Sequence, residues 1–486
     1  MRDYFTADQV RAAEAPLLAA LPDGALMRRA AYGLTAVVAS ELRSRTGGVA
    51  GRRVTLLVGS GDNGGDALWA GAMLRRRGVA VRAVLLDPVR AHAAGLAALR
   101  AVGGRVEVGA DADLGDPDLV VDGIVGISGR GPLRPPAAAL VARVGVPIVA
   151  VDLPSGVDPD TGVTAGPAVT ASVTVAFGAL KPVHALAAAH CGRVELVDIG
   201  LDLPDASMRT PTAAEVGARW PMPGPADDKY SQGVVGVIAG SARYPGAGVL
   251  CAGAAVTATS GMVRYAGTAA PQVLSRWPEV VAVDGFDAAG RVQAWVVGPG
   301  MGVDEEALTV LRAVLGTDLP VLVDADALTL VAAEPGLVAG RSAPTLLTPH
   351  AGEFARLTGR GSASQRLAAD RVAATRGLAA EWGTSVLLKG RCTVVADPDG
   401  SVLLNEAGGS AAATAGAGDV LSGVIGALMS TGLAPLTAAA MGARAHSLAA
   451  NLAAGQGSGT AAPISADALL CQVRAAVRVL RAQAVP

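Results

Sequence analysis

The first half of the chain alternates short β-branched runs with helical patterns. RVTLLVG (53–59) is a continuous apolar run and reads as a buried strand. ALWAGAMLRRRG (67–78) follows with helical spacing and closes on basic residues and a glycine. VAVRAVLLD (79–87), DLVVDGIVG (118–126), PIVAVDLPSG (147–156) and SVTVAFGA (172–179) are the next strands. Strands alternating with helices predict a parallel sheet covered on both faces. Between about Leu203 and Tyr230 the pattern dissolves into Pro-rich polar sequence, which predicts a linker or domain boundary. The pattern restarts with VVGVIAG (234–240), AWVVGPG (294–300), PVLVDADAL (320–328), PTLLTPH (344–350), TSVLLKG (384–390) and CTVVADPDGSVLLN (392–405). These runs end in Gly, Asp, His or Lys, and ligands bind at the carboxyl ends of parallel strands. A Gly/Ala-rich loop then leads into a helical run, DVLSGVIGALMS (419–430). No strong internal repeat emerges, so the halves read as two different α/β domains.

The length of 486 residues agrees with more than one hydrophobic core. A net charge of −2 argues against a nucleic-acid footprint or a basic membrane patch. The cysteines, Cys191, Cys251, Cys392 and Cys471, are isolated, which argues against a disulfide framework or a zinc site. The N-terminus MRDYFTADQVRAAE lacks the apolar core of a signal peptide, so a cytoplasmic protein is expected. The longest uncharged run, Tyr244 to Val263, is interrupted by proline and glycines. It predicts a small-residue helix inside a soluble domain rather than a membrane span.

Candidate chemistry begins at VGSGDNGGDAL (58–68). Gly59, Gly61 and Gly64 fit the dinucleotide fingerprint G-x-G-x-x-G, with a strand before and a helix after. Asp62, Asn63 and Asp66 do not fit it, because two carboxylates repel a pyrophosphate and attract a cation. Alternatively, Asp62 and Asn63 shape a turn and Asp66 caps the helix. Asp122 stands at the next strand end before a Gly-rich loop, and Asp152 and Ser155 at the one after. Three neighbouring strand ends can converge their polar groups on one crevice. A carboxylate there can move protons at a reacting carbon, and Asp152 is the candidate.

These motifs resemble the NAD(P)H-hydrate epimerase domain, in which a G-x-N-N-G-G-D-G loop, an Asp before a Gly-rich loop, and D-[IL]-P-S-G recur in this order. YFTADQVRAAE (4–14) is similar to that family's N-terminal helix. The resemblance implies a potassium ion held by Asn63, Asp122 and Ser155. It implies a hydrate site lined by Asn63, Gly64, Gly65 and Asp66 and by Gly126, Ile127, Ser128, Gly129, Arg130, Gly131 and Pro132, with Asp152 at the reacting ring. Asp62 stands where the family usually has Asn, Ala67 replaces a Gly, and Ile127-Ser128 replaces Thr-Gly.

The second constellation is AATAGAGDVLSG (412–423). Small residues let the backbone wrap an anion, and a helix N-terminus adds partial positive charge. Asp419 sits at its mouth, placed to deprotonate a hydroxyl for in-line attack on a phosphoryl group, or else to cap the helix. Lys389 either neutralises charge on a phosphate or is a surface lysine snorkelling to water. Asp324 and Asp326 either assist magnesium or shape a turn.

This loop resembles the G-x-G-D signature of the ribokinase-like fold. The runs KYSQGVVGVIAGSARYPGAGVL, VVGPGMG, VDADAL, LLTPHAGEF and LLKGRCTVV look like the NAD(P)H-hydrate dehydratase domain. The resemblance implies phosphorylation of the hydrate's hydroxyl and loss of phosphate, with Asp419 as base and ADP or ATP and Mg2+ as co-substrate and cofactor. It places Ala247, Gly300, His350 and Asp419 at the hydrate. It places Lys389, Gly390, Arg391, Cys392, Thr393, Gly416 and Gly418 at the nucleotide. Ala415 and Ala417 replace the family's Gly and hydroxyl residue, leaving backbone donors.

The expected architecture is a Rossmann-like α/β/α domain over 1–215, followed by a ribokinase-like α/β domain over 216–486. The expected function is repair of hydrated NADH and NADPH: epimerisation of the R and S hydrates and dehydration of the S hydrate. The alternative is a small-molecule kinase fused to a silent Rossmann-like scaffold. The partners expected are small molecules and a second copy of the chain, with neither nucleic acid nor membrane.

Overall fold

The computed structural model describes residues 1–484 apart from 260, 360, 361 and 458. It divides into two units, Asp3–Ser207 and Met208–Pro486, the latter joined by Met1 and Arg2.

The first unit is built on seven parallel strands. Their order across the sheet is Arg105–Val108, Ala80–Leu85, Arg53–Val58, Leu119–Gly123, Ile148–Val151, Val173–Phe177 and Arg193–Val197. The chain starts at Arg53–Val58, builds outward one way, then returns to build the other way from Leu119–Gly123. That reversal leaves a crevice at the carboxyl ends of these two strands. Both faces are covered, as continuous apolar strands require. Leu34, Val38, Leu56, Leu68 and Val121 close one core, and Leu57, Val84, Val120, Leu140 and Ile148 the other.

The helix after the first strand spans Asp62–Arg76, so it begins five residues before the sequence pattern suggests. Asn63, Gly64, Gly65 and Asp66 therefore lie on its first turns and not in a loop. The glycines permit this early start. A Cβ on Gly59 would lie 1.9 Å from the Ile124 carbonyl oxygen, and one on Gly64 would lie 2.4 Å from that of Gly59. The helix can approach the strand ends only without side chains at those positions.

The second unit carries an eleven-stranded sheet. Its parallel centre runs Ser385–Leu388, Thr345–Leu347, Val321–Val323, Ala294–Val297, Val234–Ile238, Met262–Tyr265 and Val281–Ala282. Beyond Ser385–Leu388 an antiparallel hairpin, Cys392–Ala396 and Val402–Glu406, extends it. Helices Pro245–Ala258, Ala417–Ser430, Pro435–Ala453 and Ala466–Ala482 share one apolar core.

The stretch expected to be a linker is partly structured. Met208–Thr210 pairs in parallel with Val402 and Leu403, and Thr212 with Glu215 forms a capping box on the helix Ala213–Arg219. The division accordingly falls at Ser207/Met208 rather than after residue 215. The strand backbone finds its hydrogen bonds on the hairpin, which apolar spacing does not record. The uncharged run around Tyr244 contains the helix Pro245–Ala258, packed through Cys251, Ala252, Ala254 and Ala255. Among the described residues no helix is long and apolar enough to cross a membrane.

Gly298 lies at φ +126°, and a Cβ there would sit 1.9 Å from the Asp324 carbonyl oxygen. Gly298→Ala is expected to destabilise the second domain by about 3 kcal/mol or more, read as a fall in its denaturant midpoint.

Candidate active sites

In the first domain the switch-point crevice opens into a cavity of about 410 Å³. Asn63, Asp66, Gly126, Ile127, Ser128 and Asp152 line it, together with Glu14, Asp62, His92 and Phe177. The other residues expected at the hydrate stand back from it. Gly64 packs on Gly59, and Gly65 lies against Met27 and His92. Arg130 turns outward to Asp160 at 2.9 Å and Asp158 at 3.4 Å, and Gly129, Gly131 and Pro132 continue its loop without lining the cavity.

Below the cavity, Asp122 and Ser155 are buried and bound to each other. Ser155 Oγ donates to Asp122 Oδ1 at 2.7 Å, and Ser155 N–H donates to Oδ2 at 2.9 Å. Burial pushes the Asp122 carboxyl up to about 6 against these hydrogen bonds. Among the described residues no cation pairs with it. Asn63 reaches the same place, its Nδ2 donating to Val151 O at 2.5 Å and Val125 O at 3.3 Å. Oxygen donors around an uncompensated carboxylate suit a hard cation.

Asp152 has a different environment. Its backbone is left-handed, at φ +65°. Its Oδ1 accepts from Phe177 N–H at 3.0 Å and from Lys181 Nζ at 2.5 Å, and Lys181 is only 1% exposed. Lys181 N–H donates to His184 Nδ1, so Nε2 carries the proton and donates to Asp152 O at 2.9 Å. Burial, reinforced by Lys181, holds His184 down at about 4, hence neutral. Neither Lys181 nor His184 stands out in the sequence. The only signal was a lysine in an apolar, proline-bounded stretch, FGALKPVH (177–184).

In the second domain Gly416, at φ +86°, caps the helix Ala417–Ser430, and Asp419 lies in its first turn. Burial, then Asp324 and Asp326, push the Asp419 carboxyl up to about 7 against the pull of Lys389. Lys389 Nζ bonds Asp324 Oδ1 at 2.5 Å, and Ser422 Oγ bonds Asp324 Oδ2 at 2.7 Å. Burial alone lowers the Lys389 ammonium, but Asp324 and Glu353 outweigh it and hold it above its usual value. Both Asp324 oxygens are thereby engaged, and Asp326 Oδ2 accepts from Gly302 N–H at 2.9 Å. These aspartates fasten Lys389 and the Gly300–Gly302 loop. Among the described residues no group of three or more His, Cys, Asp or Glu side chains is arranged to hold a metal.

Lys389, Gly390, Arg391, Thr393 and Gly418 line a cavity of about 280 Å³, closed by His446 and Ser447. Cys392 is buried beside it, with its thiol pushed up to about 12 by burial. His446 Nε2 donates to Ala417 O at 2.9 Å, and burial keeps the ring neutral, at about 4. It braces the first turn of the helix Ala417–Ser430, a role invisible in its alanine-rich surroundings. Gly300 and Ala247 abut, a Cβ on Gly300 falling 2.8 Å from that of Ala247. His350 caps the helix Ala351–Leu357, its Nδ1 accepting from Gly352 and Glu353 N–H, and its ring remains exposed. A wider groove of about 760 Å³ along Arg371–Trp382 gathers no comparable set of polar groups.

Comparison with known proteins agrees with this division. The family model described as YjeF-related protein N-terminus matches residues 23–183, and that described as NAD(P)H-hydrate dehydratase matches 235–470. The bifunctional NAD(P)H-hydrate repair enzyme Nnr of Mycobacterium leprae is 60% identical over 99% of this chain and 100% of its own length. The protein of the same name from Corynebacterium glutamicum is 37% identical over 96% of this chain and 98% of its own. Among solved structures, an ADP/ATP-dependent NAD(P)H-hydrate dehydratase from Bacillus subtilis, co-crystallised with ATP and Mg2+, is 26% identical. It covers 56% of this chain and 98% of its own, with a TM-score of 0.49.

Proposed function

This chain belongs to the bifunctional NAD(P)H-hydrate repair enzymes, and on that premise we propose which of its residues perform each reaction. The first domain interconverts the R and S hydrates, and the second dehydrates the S hydrate at the expense of ADP or ATP. The alternative of a small-molecule kinase on a silent scaffold has no support in a likeness that runs the length of both domains.

The observation that carries the second assignment is Asp419, half-hidden at an anion-binding helix start and poised near neutrality. It takes the proton of the hydrate hydroxyl as that oxygen attacks the terminal phosphoryl group. Backbone N–H groups of Gly416 and Gly418 and the Lys389 ammonium stabilise the charge that develops. The carbon–oxygen bond to phosphate then breaks, the adjacent ring carbon gives up a proton to solvent, and the electron pair it leaves restores the ring double bond. Gly390, Arg391, Cys392 and Thr393 form the nucleotide side, and Ala247, Gly300 and His350 the hydrate side. Asp324 is already committed to Lys389 and Ser422, so magnesium would be held through the nucleotide phosphates, where it would neutralise their charge.

In the first domain Asp152 works at the hydrated ring. Asn63, Asp122 and Ser155 suit potassium, whose positive charge would compensate the buried Asp122 carboxylate.

The test is a mixed-epimer hydrate preparation offered with ADP or ATP and magnesium. Complete recovery of reduced-nicotinamide absorbance is expected. Recovery of the S fraction alone, after subtracting spontaneous epimerisation, would mean a silent first domain. No recovery with either nucleotide would sink the dehydratase reading.

A further inference from the structure

Four carboxylates line the cavity of the first domain: Glu14, Asp62, Asp66 and Asp152. Among the described residues Asp152 alone of the four has an ion-pair partner within the cavity wall, the buried Lys181. Asp66 is the opposite case. It is 5% exposed, and its Oδ1 is buried without a hydrogen-bond partner. A buried polar atom left unpaired is costly, and this one belongs to a side chain that lines the cavity.

The groups facing Asp66 come from every side of the cavity. Asp62 lies on its own helix, Glu14 on the helix Ala7–Ala20, and Asp152 at the neighbouring strand end with Lys181 behind it. His92 also lines the cavity, but its Nδ1 is occupied by Gly95 N–H at 3.0 Å. Burial, then Asp152, Asp62 and Glu14, raise the Asp66 carboxyl well above the usual range. Of these carboxyl groups Asp152 is fixed to a lysine and Asp66 has no cation, and such a difference of surroundings separates a base from an acid.

We propose that Asp66 is the general acid of the first domain, working against Asp152 as its base; this rests on the epimerase reading of that domain. Asp66 passes its proton to the hydroxyl oxygen on the hydrated ring carbon. The carbon–oxygen bond breaks, water leaves, and the ring-nitrogen lone pair forms a carbon–nitrogen double bond. Water then adds from the other face, its proton goes to Asp152, and the nitrogen regains its lone pair. Solvent returns a proton to Asp66 and takes one from Asp152, so the cycle consumes nothing. Lys181 holds Asp152 in place at the cavity wall.

The test follows interconversion of the two hydrates without nucleotide, on the full chain, across a pH series. The wild type is expected to lose activity on the alkaline side, the fall reporting the ionisation of Asp66. Asp66→Asn keeps the shape and a donor but holds no transferable proton. It should lower kcat by about 100-fold or more, leave KM in place and remove the alkaline limb. Wild-type kcat in Asp66→Asn, or a loss confined to KM, would overturn the proposal. So would a wild-type profile with no alkaline fall, a result that stands even if the variant does not fold. A wild type no faster than spontaneous interconversion overturns the epimerase reading itself.

Discussion

Asp419→Asn is expected to reduce dehydration of the S hydrate by about 10²–10⁴-fold with either nucleotide and to leave epimerisation unchanged. The amide keeps the shape of the helix start but accepts no proton from the attacking hydroxyl. The same residue sets the pH dependence. A base works in its ionised form, and the Asp419 carboxyl stands at about 7. Dehydration by the wild type should therefore be weak in acid, rise through about pH 7 and level off above it. Lys389 is the group that pulls this carboxyl down, so Lys389→Met should move the rise to higher pH. Steady-state rates at saturating nucleotide across the pH range check both statements. A rise that stays in place in Lys389→Met would show that Asp419 does not control it.

Asp152→Asn is expected to stop epimerisation and also to weaken the first domain. Lys181 would keep its charge in a site that is 1% exposed while losing the carboxylate that compensates it. Breaking one partner of a buried pair costs about 3–5 kcal/mol. Backbone strain does not add to this, because asparagine tolerates the left-handed conformation at φ +65° as well as aspartate does. The double variant Asp152→Asn/Lys181→Met removes the stranded charge. It should recover most of the stability and none of the activity. Denaturant unfolding of the first domain, set beside interconversion of the two hydrates, separates the two effects. Full stability in the single variant would mean that Lys181 finds another partner.

Much of the architecture is legible in the chain because its strands are buried on both faces. Runs such as RVTLLVG and VVGVIAG admit no amphipathic reading, and their spacing by helical segments implies parallel order. Asp122, Asp152 and Ser155 could be placed at neighbouring strand ends for the same reason. The helix start at Asp62 escaped this reasoning. Glycines look like loop residues, yet here Gly64 lets a helix press against Gly59, which itself lies against the Ile124 carbonyl. The strand Met208–Thr210 escaped it too, since its pairing partner lies nearly two hundred residues away on the hairpin.

The sequence alone therefore determined the two α/β domains, their order, and the positions of Asp419 and Asp152, because each follows from local periodicity and from residue types at strand ends and helix starts. Only the tertiary structure decided which charges meet. Lys181 with Asp152, Lys389 with Asp324, the isolation of Asp66 and the neutrality of His184 and His446 depend on burial and on distances through space. Proton affinity is set by those distances and by the loss of water around each group, and neither is written in the spacing of residues along a chain.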